Sequence, residues 1–221
     1  MPITISIEGN IGAGKTTFIN KIENLVKTHE FDKKICVLRE PVDIWTDVKN
    51  PKTGETILQS FYRNPKTYAF PFQTLVFNTR LMEYKRILKE NPDCDILFCE
   101  RSLECDSKIF AKMLYDDGLI DDMCYEIYKH LYETSKHEFP IDKVFFLGIT
   151  HEECSNRIKQ RAREGEESIP LEYLEKCNKY HIDWLNGEDS DNQGYEIARV
   201  YAPTCNLCND DDELLEWLRK L

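Results

Sequence analysis

Gly9, Gly14, Lys15 and Thr16 stand at the spacing Gly-x-x-x-x-Gly-Lys-Thr within IEGNIGAGKTTF, residues 7–18. The chemistry open to that spacing is the holding of a polyphosphate. Glycines let the backbone fold back with its N–H groups turned inward, and the helix that follows adds unpaired amides and the positive end of its dipole. Lys15 supplies a point charge at the terminal phosphates, and the Thr16 hydroxyl is placed to ligate Mg²⁺. The run Gly9, Asn10, Ile11, Gly12, Ala13, Gly14, Lys15, Thr16 and Thr17 is the candidate cradle for a phosphate donor such as ATP. A chance glycine-rich turn rarely matches at all these positions between a strand and a helix pattern. The loop names a donor site and leaves the reaction open.

Two further stretches could act on what the loop holds. In VLREPVDIW, Glu40 follows an apolar run that Pro41 stops, and in ILFCERS, Glu100, Arg101 and Ser102 follow four apolar residues. One charged residue after a strand is usually the chain meeting water. Two carboxylates and an arginine at the mouth of one phosphate loop suit phosphoryl transfer, which needs a base for the acceptor hydroxyl, a seat for Mg²⁺ and positive charge over the moving group. Glu40 or Glu100 could be the base, and Arg101 the charge.

The aromatic interval FYRNPKTYAFPFQTLVFNTR offers Tyr62, Tyr68, Phe72 and Phe77 as flat apolar surface and Gln73 as a lone amide. An amide presents a donor beside an acceptor, the complement of a nucleobase edge, and aromatic faces could stack that base. The competing reading is a core helix with Gln73 on its wet side. Finally, Arg157 and Arg161 lie four apart on one helix face, with Arg163 at its end and a flexible acidic stretch beyond. That arm could close over phosphates as a lid or be an ordinary solvated face.

The elements that must position these groups alternate. Short β-branched runs at Ile3 to Glu8, Lys34 to Leu38, Asp95 to Cys99 and Lys143 to Leu147, with a fifth between Ala198 and Cys208, predict strands. Helices are expected at about Lys15 to Thr28, Tyr68 to Glu90, Leu103 to Tyr115, Asp121 to Lys136, His151 to Arg161, Pro170 to Leu185 and Asp211 to Leu221. Strand centres that are nearly all apolar belong to a parallel sheet covered on both faces, so an α/β fold is expected. In such a sheet ligands bind beyond the carboxyl ends of the strands, where Gly9, Glu40 and Glu100 fall. No linker divides the chain, and one domain over residues 1–221 is expected.

Composition sets the limits. The chain has 221 residues, 41% of them apolar, with 40 acidic against 29 basic residues and a formal net charge of −11. That balance argues against a nucleic-acid groove. Apolar runs are too short for a membrane span, and the start of the sequence reads as a strand rather than a leader, so a cytoplasmic protein with reduced thiols is expected. Cys205 and Cys208 form the lone Cys-x-x-Cys pair among nine cysteines, with no second pair to complete a zinc site.

Together GNIGAGKTT, EPVDIW, the interval from Tyr62 to Gln73, ERSLECD and RAREGEESIPLEYL resemble the deoxynucleoside kinase family, in order and at matching spacing from about residue 3 to 185. The resemblance implies a P-loop NTPase three-layer sandwich, a parallel five-stranded sheet flanked by helices, with an arginine-rich lid at about 157–170. It implies transfer of the γ-phosphate of ATP, with Mg²⁺, to the 5′-hydroxyl of a deoxynucleoside. By that likeness Glu40 takes the hydroxyl proton, Arg101 holds the same end of the sugar, and Glu100 supports Mg²⁺ with Thr16, although Glu100 as the base stays open. Tyr62 and Glu166 match the positions that hold the 3′-hydroxyl. Gln73 matches the residue that pairs with the base, between walls of Ile11, Trp45, Phe72 and Phe110, and Arg157, Arg161 and Arg163 match the lid arginines. Arg80 and Asp106 occupy the positions that in deoxycytidine and deoxyguanosine kinase-like members lie over the base, where they would crowd a thymine methyl. Val76, one turn before Arg80, would adjust pocket volume. The family's homodimers imply a dimer here through the helix around Tyr68 to Glu90.

The stretch CNLCNDDDELLEWL departs from the family's donor-base loop by lacking an aromatic. Two other readings share the scaffold. A nucleoside monophosphate kinase of thymidylate type would need extra basic residues where Glu40 stands, and a non-catalytic nucleotide-binding subunit would not need Lys15, Thr16, Glu40, Glu100 and Arg101 all intact. A GTPase is disfavoured because no Asn-Lys-x-Asp motif is present.

Overall fold

The computed structural model describes residues 1–163, 166, 169–187 and 195–221. Residues 164, 165, 167 and 168 of the expected lid, and 188–194 of the expected connection after the ninth helix, lie outside the described residues. In chain order the elements are β1 (Ile3–Glu8), α1 (Lys15–Thr28), β2 (Ile35–Leu38), α2 (Val42–Asp47), α3 (Ile57–Arg63), α4 (Pro65–Glu90) and β3 (Ile96–Glu100). There follow α5 (Leu103–Cys105), a π-helical stretch Asp106–Ala111, α6 (Lys112–Asp116), α7 (Asp122–Ser135), a 3₁₀ turn Lys136–Glu138 and β4 (Lys143–Gly148). The chain continues through α8 (His151–Arg161), α9 (Leu171–Asn186), β5 (Glu196–Tyr201), α10 (Asn206–Asn209) and α11 (Asp211–Lys220).

The five strands form one parallel sheet in the order β2-β3-β1-β4-β5. Side-chain alternation gives the sheet two apolar faces. Ile96 and Phe98 of β3 face one way, with Ile5 and Ile7 of β1, against Phe18, Ile19 and Ile22 of α1 and Leu214 and Leu218 of α11. Leu97 and Cys99 face the other, against Phe77, Leu81 and Tyr84 of α4, Tyr128 and Tyr132 of α7 and Trp184 of α9. Burial on both faces explains why the strands read as apolar runs without alternation. A third cluster of Trp45, Leu58, Phe61, Phe72, Val76, Leu114 and Ile120 packs apart from the sheet.

The sheet, its order of elements and the main helices match expectation, and the differences have local causes. The fifth strand is Glu196–Tyr201, earlier than the expected Ala198 to Cys208, because Pro203 has no N–H to continue a ladder and the chain turns there. Cys205 and Cys208 therefore belong to that turn and α10. Helix α4 starts at Pro65 and not at Tyr68, since proline suits the first helical position. The short α2 and α3 were not expected, although Thr56 and Gln59 form a capping box that marks the start of α3. Within the expected helix from Leu103 to Tyr115, Asp106–Ala111 widens into a π-helical stretch, which turns Asp106 and Phe110 toward the cavity described below.

Candidate active site

The phosphate loop is built on three glycines with positive φ, Gly9 at 148°, Gly12 at 80° and Gly14 at 99°. A Cβ on Gly12 would meet the Cys154 carbonyl at 2.7 Å and one on Gly9 the Leu147 carbonyl at 2.8 Å, both in conformations that side chains rarely adopt. Gly14 caps α1 with no side-chain hydrogen bond, and the first turn of α1 holds no acidic residue. The amides of that turn are left for an anion. Asn10 fixes the loop from behind: its Nδ2 donates to the Leu174 carbonyl at 2.8 Å and to Asn178 Oδ1 at 2.7 Å, both on α9.

Lys15 is buried and folds back on the loop, donating to the carbonyls of Gly9 at 3.0 Å and Asn10 at 2.8 Å. Burial lowers its pKa to about 8, with Arg101 adding to the fall and Glu40 and Glu100 opposing it. Thr16 Oγ1 donates to Glu100 Oε1 at 2.6 Å. These two hard oxygens at the head of α1 suit Mg²⁺.

Beside them lies a network of buried charge. Arg80, 2% exposed, donates from Nε to Asp106 Oδ2 at 2.7 Å, from Nη1 to the Glu100 carbonyl at 2.7 Å and from Nη2 to Glu40 Oε1 at 3.0 Å. Arg101 donates from Nη1 to Glu40 at 3.1 Å and from Nη2 to the Gly9 carbonyl at 3.2 Å, and its guanidinium lies over the Phe110 ring. Its φ of 67° is a left-handed conformation, rare without a glycine, held by its N–H on the Ile7 carbonyl at 3.1 Å. Burial would raise the Glu40 pKa, but Arg101, Arg80 and Lys15 outweigh it and bring the carboxyl down to about 2. Burial raises Asp106 to about 6 against the pull of Arg80, so the pair is ionised at neutral pH.

These groups open onto one cavity of about 800 Å³, within the usual range for small-molecule sites. Its apolar end is a stack of rings, with Phe61 on Phe72 at 4.9 Å and Trp45 edge-on to Phe72 at 5.8 Å. Trp45 Nε1 donates to Thr79 Oγ1 at 2.9 Å and is thereby fixed. Gln73 is 3% exposed, so the wet-side reading of this residue is corrected: it lines the cavity, and its Oε1 has no partner. A buried amide oxygen aimed at open space is a group prepared for a ligand. Tyr62, whose phenol pKa is raised by burial and by Glu166, shares this wall.

At the other end, Arg157 Nη1 donates to the Ala13 carbonyl at 3.2 Å, so α8 reaches the loop directly. Arg161 and Arg163 both pair with the buried Glu166, Arg163 at 3.1 Å. Of the residues named from the sequence for the site, Gly9 and Asn10 do not line the cavity, their carbonyls holding Lys15 instead, and neither do the proposed stacking rings Tyr68 and Phe77, Phe77 being part of the core under the sheet. Sequence reasoning did not single out Phe61, Tyr173, Ala202, Pro203, Cys208 or Asn209. Phe61 had a signal as the neighbour of Tyr62, and Tyr173, Cys208 and Asn209 lie in the stretches RAREGEESIPLEYL and CNLCNDDDELLEWL that were compared with the family without being named as lining.

The deoxynucleoside kinase family model matches residues 5–214. Similar proteins include the deoxycytidine kinase of Homo sapiens, 34% identical over 199 residues covering 82% of this chain and 74% of the relative. A probable deoxycytidine kinase of Fowlpox virus is 33% identical over 210 residues, 94% of this chain and 79% of its own. The mitochondrial deoxyguanosine kinase of Xenopus laevis is 30% identical over 199 residues, 82% and 72% respectively.

Replacing Arg80 by Met would strand Asp106 and remove one of two cations from Glu40. A loss of about 3–5 kcal/mol is expected in urea unfolding at pH 7, as for other broken buried pairs. A loss below about 1 kcal/mol, the value of an exposed pair, would mean that the network is not what stabilises this face.

Proposed function

The chain belongs to the deoxynucleoside kinase family, and we propose that it uses ATP to phosphorylate the 5′-hydroxyl of deoxycytidine or a purine deoxynucleoside in preference to thymidine. The observation that carries the reading is Glu40, a carboxylate clamped between two arginines in a cavity with the phosphate loop at one end and the unpartnered Gln73 at the other. A nucleoside places its hydroxyl on Glu40 and its base on Gln73. A monophosphate acceptor would meet the negative charge of Glu40 instead.

The residues divide the work. The loop amides and Lys15 take the terminal phosphates of the donor, with Arg157, Arg161 and Arg163 over them. Thr16 and Glu100 would hold Mg²⁺, and their paired oxygens fit a hard cation. The metal when bound neutralises charge on the phosphates. Glu40, kept low by Arg101 and Arg80, does not strip the hydroxyl beforehand. It accepts a hydrogen bond from the 5′-hydroxyl and takes the proton late, as suits a loose transfer in which bond making lags behind bond breaking. Arg101 stays at the same end and stabilises the moving phosphoryl. Tyr62 and Glu166 hold the 3′-hydroxyl. Glu166 is paired with Arg161 and Arg163 in the empty site, so a triphosphate that draws those arginines away frees it for the acceptor.

At the base, Arg80 and Asp106 form a rigid edge, and Val76 sets the depth one turn away. A thymine methyl pressed against that edge displaces a buried ion pair, which the cavity cannot relax to admit. The chain is taken as a single cytoplasmic kinase domain over residues 1–221 that acts on small molecules and binds neither nucleic acid nor membrane. No described helix is long and apolar enough to cross a membrane. A homodimer through α4 and α7 is supported by Met82, Met123 and Ile127, which are 56%, 70% and 46% exposed on those two packed helices.

Three outcomes follow from this reading. ATP turnover with Mg²⁺ is expected on deoxycytidine and deoxyadenosine, falling by at least about 100-fold in Glu40→Gln with nucleotide binding retained. A thymidine kcat/KM equal to or above that of both would refute the specificity, and turnover on monophosphates alone would refute the acceptor. Because Lys15 titrates at about 8 in the empty site, kcat/KM for ATP is expected to fall as pH rises past that value while kcat at saturating ATP holds further. An ATP profile flat to pH 10 would exclude this role of Lys15. In sedimentation equilibrium the chain should run as a dimer that Met123→Glu with Ile127→Glu converts to monomer; a wild-type monomer refutes the interface.

A further inference from the structure

Behind the cavity residue Phe110, whose ring is edge-on to His181, three elements bring Glu8, Cys105 and His181 together, from the end of β1, from α5 and from α9. Each is fully buried, and one donor atom from each lies within 4.8 Å of the others. This is the one such group of potential metal ligands found among the described residues. Glu8 Oε1 is satisfied by the hydroxyls of Ser6 at 2.6 Å and Ser102 at 2.7 Å, but Oε2 has no partner. His181 Nδ1 lies 2.6 Å from the Cys177 carbonyl, which can only accept, so the ring proton is on Nδ1. Nε2 therefore turns a bare lone pair inward, and it too has no partner. Two unpartnered acceptors share one closed interior, and buried polar groups are rarely left so.

We propose that Glu8, Cys105 and His181 form a zinc site, with three protein ligands and the fourth tetrahedral position left to a water. One carboxylate, one thiolate and one imidazole are ordinary zinc ligands, and the sulfur and nitrogen select against Mg²⁺ and Ca²⁺. Tetrahedral zinc sets its ligand atoms about 3.3–3.8 Å apart, so the cluster needs a convergence of about 1 Å, within reach of side-chain rotation. Zinc entry forms a Zn–S bond and releases the Cys105 thiol proton to solvent, while His181 enters through Nε2 with its proton on Nδ1. The carboxylate and thiolate then balance the divalent charge, so Lys15 and Arg101, whose charges reach this point, meet a neutral set. The second nitrogen of His181 is already oriented by the Cys177 carbonyl, the arrangement usual behind a zinc-bound histidine. The site shares no residue with the Thr16 and Glu100 pair, and it joins the strand that ends in the phosphate loop to the helix that anchors Asn10.

Purified full-length protein, dialysed without chelator, is expected to carry about one zinc per chain, and Co²⁺ loaded in its place should give a thiolate-to-cobalt band in the near ultraviolet. The band should vanish in Cys105→Ser, weaken in His181→Asn and persist in the Cys205→Ser, Cys208→Ser double variant, with circular dichroism reporting which variants fold. Should both cluster variants fail to fold, X-ray absorption of the zinc-loaded wild type decides: one sulfur with nitrogen and oxygen supports the site, and two or more sulfurs overturn it. Chelation should lower the melting temperature of wild type and leave that of Cys105→Ser unchanged. Zinc below about 0.1 per chain with no cobalt band would overturn the site and leave a buried water as its occupant. A band that follows Cys205 and Cys208 would overturn it equally.

Discussion

Arg80 is the group on which the site depends. A guanidinium that is 2% exposed can stay ionised in a protein interior only if its donors are met and its charge is balanced. Asp106 balances it, the Glu100 carbonyl takes a second edge, and Glu40 takes the third. Those three partners come from the π-helical stretch, the end of β3 and the segment after β2. The cost of burying Arg80 is offset only when all three segments stand in one arrangement. The position of Glu40 is thus fixed by the same residue that pairs with Asp106 on the cavity wall.

The phosphate end follows a different rule. Lys15 and Arg157 rest on backbone carbonyls of the loop, and the first turn of α1 has neither side-chain cap nor acidic residue. Neutral carbonyls are weak competitors for a cation beside a triphosphate, since hydrogen bonds between charged groups are about twice as strong as neutral ones. The donor can therefore claim Lys15 and Arg157 with little disruption. A chain of net charge −11 concentrates its available cations where one polyanion is to bind.

The fold and this loop were legible because their signals are local. Apolar runs give β1 to β4, and glycine spacing gives the turn without any partner being known. The candidate site was legible as a set of residues but not as a network. Glu40, Arg80 and Arg101 are 40 and 61 positions apart at the extremes of their two pairings, and no period connects them. Gln73 showed the same limit: within a strongly apolar helix its amide could face water or cavity, and only tertiary packing decides. Ala202 and Pro203 gave no signal because nothing in a Pro-containing turn indicates which face of the sheet it will reach, and Tyr173, Cys208 and Asn209 were legible only as members of longer stretches. Pro203 did mark an end to β5, yet the apolar residues beyond it outweighed that mark.

The contrast between the two ends of the cavity has a consequence for the order of recognition. At the acceptor end both arginines are held by carboxylates in a dry setting, so breaking either pair would leave a buried charge alone. That end is a fixed template which accepts a hydroxyl and a base edge of the right shape. At the donor end cations rest on carbonyls, or, for Arg161 and Arg163, on the single carboxylate Glu166. Arg161 and Arg163 are 34% and 33% exposed, against 2% and 6% for Arg80 and Arg101, so water can take over their donors when the pairs part. Rearrangement is thus confined to the side of the triphosphate, and Glu166, released there, lies on the cavity wall shared with Tyr62. The two ends of the cavity thus differ in kind: dry, carboxylate-bound arginines at Glu40, and partly exposed ion pairs that can change hands at Glu166.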